Sequence, residues 1–345
     1  MSQRIDPQKS YRRASRIAGT GIGYPSKVIS NMDLSRMVDT SDEWILGRTG
    51  ISERRGIDRE KGQTFTSLAK EASSQAMDRA GINASDIDFV ICATTSPDTR
   101  MPSQAARICG ALGMRVETGA LDIGSACAGF LSAIQMGDAL LRSGIHQRIL
   151  IVGGDLMSSL LDYSDRSTCV LFGDGIGAEV LGGVESAEIL ESSMVLDTML
   201  YCEFDRAENL VIKGGGAQFG MDASGKCSAS PYVSMRGKEV FKDASRAMSE
   251  AALAILRKHN LKGSDIDWLI PHQANLRILQ KVSDLVGIPM DRVYVNLDRW
   301  GNTSAATIPI CLAEMEERNL IKKGQLVLLD AFGGGYNYGA CLIRW

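Results

Sequence analysis

Apolar residues along this chain recur at two spacings that take turns. Leu68, Ala69, Ala72, Ala76 and Met77 share one helical face and predict a helix over about 65–80. Ala244, Met248, Ala251, Ala252 and Ile255 predict another over about 240–258. Phe130, Leu131, Ile134, Leu140 and Leu141 predict a third, with Gly144 as its stop. Between these lie short apolar runs: Gly119-Ala-Leu-Asp-Ile123, read as a buried strand, then Arg148-Ile-Leu-Ile-Val-Gly153 and Gln325-Leu-Val-Leu-Leu-Asp330. Helices alternating with short apolar runs predict α/β layers.

The pattern also repeats. Ser85-Asp-Ile-Asp-Phe-Val-Ile91 and Ser264-Asp-Ile-Asp-Trp-Leu-Ile270 are nearly one heptapeptide, 179 positions apart. Each follows an amphipathic helix, and each ends in chemically notable residues: Cys92-Ala-Thr-Thr-Ser96 and Pro271-His-Gln-Ala-Asn275. An offset of half the chain indicates duplication; solenoid repeats have periods of roughly 20–50 residues. Ligands of α/β sheets gather at the carboxyl ends of strands, which directs attention to those endings.

Composition narrows the class. The 345 residues are 44% hydrophobic and 23% charged, enough for two domains or one large duplicated unit. A net charge of −3 gives no field that calls for nucleic acid. No apolar run approaches the roughly 18 residues of a membrane span, so no membrane association is expected. Residues 1–16 are expected to form a disordered basic extension, with Arg4, Lys9, Arg12, Arg13 and Arg16 against Asp6 and no apolar core of a secretory signal. Eight cysteines include no CxxC pair, which points to a reduced, cytoplasmic protein without a disulfide framework or metal site.

Candidate chemistry centres on Gly124-Ser-Ala-Cys127-Ala-Gly-Phe130, where Cys127 falls between a strand and a helix. Unpaired N–H groups and the helix dipole there favour a negative charge and predict a lowered thiol pKa. A buried structural cysteine fits the same pattern. Of three histidines, His146 reads as a loop residue and His259 as the last turn of a helix, whereas His272 ends an apolar strand. By itself His272 also suits a satisfied core position. Asn302, in Trp300-Gly-Asn-Thr-Ser-Ala-Ala306, suits an ordinary helix N-cap. Gly333-Gly-Gly335 suits either a turn between strands or close backbone approach to a substrate oxyanion. Gly173-Asp-Gly-Ile-Gly177 leads into a strand, which excludes a dinucleotide loop.

Together with Val38-Asp-Thr-Ser-Asp-Glu-Trp-Ile45, Arg48-Thr-Gly-Ile51 and Asp165-Arg-Ser-Thr168, these segments carry a resemblance. From about Ile17 to Trp345 the chain resembles β-ketoacyl-[acyl carrier protein] synthase III, a condensing enzyme of the thiolase superfamily. The resemblance implies a five-layered αβαβα fold of two duplicated halves, 17–184 carrying the nucleophile and 185–345 carrying its partners. It implies a homodimer and a triad of Cys127, His272 and Asn302. Backbone N–H groups of Cys127 and Gly334 would form the oxyanion hole. Coenzyme A and its acyl group would meet Trp44, Arg48, Arg166, Met101 and Phe332, and Lys242 and Arg277 would receive the acidic acyl carrier protein. The implied reaction is a decarboxylative condensation of an acyl-CoA primer with malonyl-acyl carrier protein, starting fatty acid biosynthesis. Neither metal nor redox cofactor is needed. His272 Nε2 and the Asn302 amide would donate to the enolate oxygen.

Three departures keep the substrate open. The segment 184–231 lacks the family's glycine-tyrosine-leucine-rich motif, Met101 stands where relatives carry a phenylalanine capping the partner's acyl pocket, and Tyr336-Asn-Tyr338 replaces a threonine-tryptophan version. A specialised condensing enzyme of secondary metabolism is therefore one alternative. A cysteine thioester hydrolase, with Cys, His and Asn in the same chain order, is another.

Overall fold

The computed structural model describes residues 13–185 and 193–345. Its first half builds one sheet. Strand β1 (Arg13–Gly23) is followed by a small hairpin, β2 (Lys27–Ser30) and β3 (Glu53–Gly56), which encloses α1 (Asn31–Ser35) and α2 (Asp42–Thr49). Helix α3 (Phe65–Ala80), β4 (Phe89–Ala93), α4 (Gln104–Leu112), β5 (Gly119–Ile123), α5 (Gly129–Arg142), β6 (Arg148–Leu156) and β7 (Asp174–Glu185) complete it. The sheet order is β1-β7-β6-β4-β5.

The second half repeats this plan. It runs β8 (Met194–Cys202), a short pair β9 (Leu210–Val211) and β10 (Ser234–Met235), α6 (Gly237–Lys258), β11 (Trp268–Pro271), α7 (Leu276–Val286), α8 (Leu297–Trp300), α9 (Thr307–Glu317), β12 (Leu326–Gly333) and β13 (Asn337–Arg344). Its sheet order is β11-β12-β13-β8. In both sheets the inner pair is parallel (β4 with β6, β11 with β12), and the next two pairings are antiparallel. A single bridge from Leu269 to Val293 stands where β5 stands in the first sheet.

Side-chain alternation explains the five layers. Strand residues alternate between faces, and here both faces are covered. Ile149 and Ile151 of β6, with Val327 and Leu329 of β12, bury against α5 and α9 in one central core. Leu150 and Val152 turn outward onto α3 and α4, and Leu328 and Phe332 turn onto α6 and α7. Helix α9 is buried at every position from Thr307 to Met315, as the middle layer requires. Strand β1 lies so close to α3 that a Cβ at Gly21 would sit 2.0 Å from the Ala72 carbonyl oxygen.

Two expectations change. β1 begins at Arg13, so the extension expected over 1–16 overlaps this strand, and pairing with β7 orders Arg13–Arg16; residues 1–12 lie outside the described residues. The 119–123 run is a strand, but an edge one and only half-buried, because it pairs with β4 alone. The helices over 65–80 and about 240–258 stand where periodicity put them.

Candidate active site

Cys127 sits in a single 3-10 turn, Ala126–Ala128, between β5 and α5. Ala126 before it is held at φ +46°, the left-handed region that non-glycine residues rarely adopt. The thiol is 8% exposed, and its Sγ lies 3.3 Å from the Ser304 hydroxyl. Burial pushes its pKa up to about 12, with the Asp155 carboxylate adding to the rise and the Ser304 hydrogen bond opposing it. The resting group is therefore a thiol. The lowered pKa expected from the helix terminus is overridden, since desolvation of a buried anion dominates.

His272 follows β11 and is fixed there by its own N–H, which donates to the Asp330 carbonyl at 2.7 Å. Gln273 braces the turn: its amide donates to the Pro271 and Tyr294 carbonyls and accepts from Asn296 N–H. Burial pulls the imidazole pKa down to about 3, so the ring is neutral. Nδ1 lies 2.8 Å from the Thr307 hydroxyl, and Nε2 has no hydrogen-bond partner among the described residues.

Asn302 is not an N-cap. Its backbone bridges to Phe172, its N–H donates to Leu171, and its carbonyl accepts from Gly173 N–H. The side-chain Oδ1 accepts from Ser304 N–H at 2.8 Å, which orients the amide and leaves Nδ2 without a hydrogen-bond partner among the described residues. Gly333 completes the surround: a Cβ there would lie 2.7 Å from Cys127 N, so only glycine lets β12 approach the Cys127 turn.

Two cavities meet at Cys127, Phe172 and Leu210. The first, of about 580 Å³, brings together Cys127, His272, Asn302 and Phe332, and reaches outward to Trp44, Arg48, Arg166 and Arg277. The second, of about 720 Å³, runs past Gly334 to Met157, Leu160, Ile212 and Met221. At the outer end of the first cavity, the Arg48 and Arg166 guanidinium carbons each lie 5.1 Å from the centre of the Trp44 ring. Arg166 is further held by Asp39, and Arg277 donates to the Gly47 carbonyl at 2.7 Å. Lys242 is exposed on α6 and lines neither cavity. Met101 is 86% exposed and also lines neither cavity.

Sequence reasoning missed several residues here. Lys238 and Phe241 line the first cavity, one turn or less from Lys242 on the same helix. Ser304 and Thr307 touch Cys127 and His272, although nothing but their place after Asn302 marked them. Asp155 was also missed: it accepts from Thr94, Thr95 and Ser96 beneath the site. No group of three metal-ligating side chains occurs among the described residues.

Comparison with known proteins follows the same lines. Family models for 3-oxoacyl-[acyl-carrier-protein] synthase III match residues 121–198, and its C-terminal part matches 256–345. The β-ketoacyl-[acyl-carrier-protein] synthase III of Alkalilimnicola ehrlichii is 43% identical over 331 residues, 96% of this chain and 99% of that one. The crystal structure of 3-oxoacyl-[acyl-carrier-protein] synthase III from Aquifex aeolicus superposes with a TM-score of 0.86 at 39% identity, covering 96% of this chain and 100% of that one. The priming β-ketosynthase of the R1128 polyketide biosynthetic pathway also superposes at 0.86, with 30% identity over 97% of this chain and 98% of that one.

Proposed function

The chain belongs to the β-ketoacyl-[acyl-carrier-protein] synthase III family, and from that premise we propose how its residues carry out the family's condensation. It is an acyltransferase-type condensing enzyme that starts fatty acid synthesis. The observation that carries the residue assignment is the meeting of Cys127, His272 and Asn302 on one cavity.

In the first stage the Cys127 sulfur attacks the carbonyl of an acyl-CoA, the carbon–sulfur bond to coenzyme A breaks, and the thiol proton leaves with coenzyme A as its free thiol. Storing the acyl group on sulfur frees the first cavity for a second substrate. Malonyl-acyl carrier protein then enters, loses carbon dioxide, and its carbanion attacks the acyl-Cys127 carbonyl. The enolate oxygen needs donors, and the unpaired Asn302 Nδ2 supplies one beside His272. The tetrahedral oxyanion forms against the N–H groups of Cys127 and Gly334, and collapse releases a 3-ketoacyl-carrier protein. Trp44, between Arg48 and Arg166, is a platform for the adenine and phosphates of coenzyme A. Lys242 and Arg277 lie on the face that receives the carrier protein. This chemistry requires no metal or redox group.

The acyl chain occupies the second cavity. Its volume of about 720 Å³ falls in the range of about 300–1,000 Å³ that holds drug-sized ligands and exceeds what acetyl fills. That size favours a longer or bulkier primer, as a secondary-metabolite enzyme would use. A homodimer would form along the half-buried edge strand β5, whose unpaired backbone groups need a partner. Exposed Met101, just before α4, would then close the partner's acyl cavity. The compartment proposed for this chemistry is the cytoplasm.

The test offers a panel of acyl-CoA donors with malonyl-acyl carrier protein and reads enzyme and products by intact mass. An acyl adduct that Cys127→Ala abolishes, followed by a 3-ketoacyl-carrier protein, supports the reading. Thioester hydrolysis without carbon–carbon bond formation replaces it with a hydrolase.

A further inference from the structure

We propose that Arg100 is a specificity-determining residue that makes the second cavity select acyl groups ending in a carboxylate, so that the donor is a coenzyme A monothioester of a dicarboxylic acid. The inference rests on the reading above that the acyl chain occupies this cavity, and it deepens that reading by naming the far end of the chain.

Charge carries the argument. The cavity runs from Cys127 to the segments 95–100 and 210–233, and Arg100 is the one charged residue in its wall. No acid lines it. A guanidinium is a permanent cation whose planar fork of five donors matches the two oxygens of a carboxylate. Arg100 has no hydrogen-bond or ion-pair partner among the described residues. Asp98, the acid nearest to it in sequence, is already committed to the start of α3. One of its oxygens accepts from Phe65 N–H, and the other from the N–H and hydroxyl of Thr66. An uncommitted fork therefore stands in the wall of a cavity that also holds the thiol.

The backbone opposite makes room for that fork. A Cβ at Gly215 would sit 2.9 Å from Arg100 Nη2, and Gly215 is held at φ +90°, a conformation open to glycine. Gly214 N–H donates to the Ser230 carbonyl at 2.7 Å, and Gly215 N–H to the Phe219 carbonyl at 2.9 Å. The loop is thus held by its own backbone, and Arg100 is left for a ligand. Met101, the next residue, lines neither cavity of its own chain. A wholly apolar acyl chain would strip water from the guanidinium and return nothing, whereas a carboxylate replaces that water with a charge-assisted bidentate pair. Acyl transfer to Cys127 leaves the terminal carboxylate untouched, so no further reactant is needed, and the 3-ketoacyl product keeps it.

The test offers succinyl-, glutaryl- and adipyl-CoA, each beside the neutral donor in which an isopropyl group replaces the terminal carboxylate. The rate of Cys127 acylation at limiting donor is read by intact mass. Arg100 is exposed, so the preference sits at the low end for a hydrogen bond to a charged group: the wild type should take the carboxylated member of at least one pair about tenfold faster. Arg100→Met should slow that donor about tenfold and leave its neutral counterpart within about threefold, and Arg100→Lys should keep part of the preference. Added salt should erode the preference in the wild type and change nothing in Arg100→Met. Neutral donors that match or exceed the carboxylated ones at every length overturn the inference. Equal slowing of both members in Arg100→Met does so too, because a loop or folding defect acts on both. Calorimetric binding of the same esters to Cys127→Ala protein reads the preference without chemistry. A wild-type enzyme that no donor acylates refutes the proposed function; tighter binding of the carboxylated esters then still upholds the carboxylate site, and equal binding overturns it.

Discussion

Asn302 allows its donor role to be separated from its structural one. Its Oδ1 holds Ser304 N–H, and Nδ2 is the donor in the proposed mechanism. Asn302→Asp keeps an acceptor for Ser304 and replaces the donor with a second oxygen. Loss of one preorganised donor costs about 2.7–4 kcal/mol, or about 10²–10³ in rate. A carboxylate about 4 Å from a developing enolate adds up to about 4 kcal/mol of repulsion at an effective dielectric of about 20. The expected fall in carbon dioxide release for Asp is therefore about 10⁴ or more. Asn302→Ala loses the donor without adding repulsion, so it should fall by only about 10²–10³. Alanine strands the buried Ser304 N–H, at a cost of about 1–3 kcal/mol, whereas aspartate keeps that acceptor but must desolvate a charge, so both variants should unfold at lower temperature than the wild type. Labelled carbon dioxide release, single-turnover acylation and thermal unfolding on the same three proteins measure all of this. Acylation should survive in both variants. A folded Asn302→Asp that decarboxylates at a tenth of the wild-type rate or better refutes the donor assignment.

Other consequences follow from the same geometry. Because burial raises the Cys127 pKa to about 12, less thiolate is present at every lower pH than for an ordinary thiol of about 8.5. Iodoacetamide alkylation mapped to Cys127 should then rise about tenfold per pH unit from 7 to 9, and a plateau below pH 8 contradicts the burial argument. Gly333→Ala puts a Cβ 2.7 Å from Cys127 N, so acylation should collapse while the fold persists; retention of wild-type acylation shows that β12 is free to give way. Trp44→Ala should raise KM for acyl-CoA several-fold and leave KM for malonyl-carrier protein nearly unchanged, because only the former carries an adenine; a matching rise in both removes Trp44 from the coenzyme platform.

Much of this fold is written in local periodicity. Helix α3 ends at Ala80 with Gly81 in the left-handed conformation, and the apolar spacing of Leu68 to Met77 located it from sequence. The heptapeptide repeat likewise marked β4 and β11 as mates. Less legible was whatever depends on neighbours distant in the chain. The β5 run is apolar enough for a buried strand, yet its half-burial reflects an unpaired edge that composition does not encode. Cys127, His272 and Asn302 stood out by residue type and position at strand or helix ends. Ser304 and Thr307 did not, because a serine and a threonine near a helix start read as capping residues. Their contacts with Cys127 and His272 span 177 and 35 positions. The thiol pKa was misjudged for a related reason: a helix terminus is visible in sequence, whereas burial of the thiol against the opposite half is not.

Duplication explains why the site lies where it does. Ala126 and Ser304, 178 positions apart, hold similar left-handed angles of φ +46° and +53°. Each opens a 3-10 turn that leads into a buried central helix, α5 from Gly129 and α9 from Thr307, again 178 positions apart. The two turns pack against each other, with Cys127 Sγ 3.3 Å from Ser304 Oγ. Two helix N-termini thus converge on one point with the positive ends of their dipoles, although in the second turn the N–H groups of Ser304, Ala305, Ala306 and Thr307 already have acceptors. In the second turn the position matching Cys127 is Ala305, so the pair holds one thiol, the proposed nucleophile, and the second half surrounds it. Burial keeps the resting sulfur protonated, and the converging termini cannot overcome that. On the proposed mechanism, their field would act on the oxygen that becomes negative once the acyl carbon is attacked. On that mechanism a charge that exists only during the reaction would be stabilised there and a charge persisting at rest would not, which is the differential binding that accelerates a chemical step.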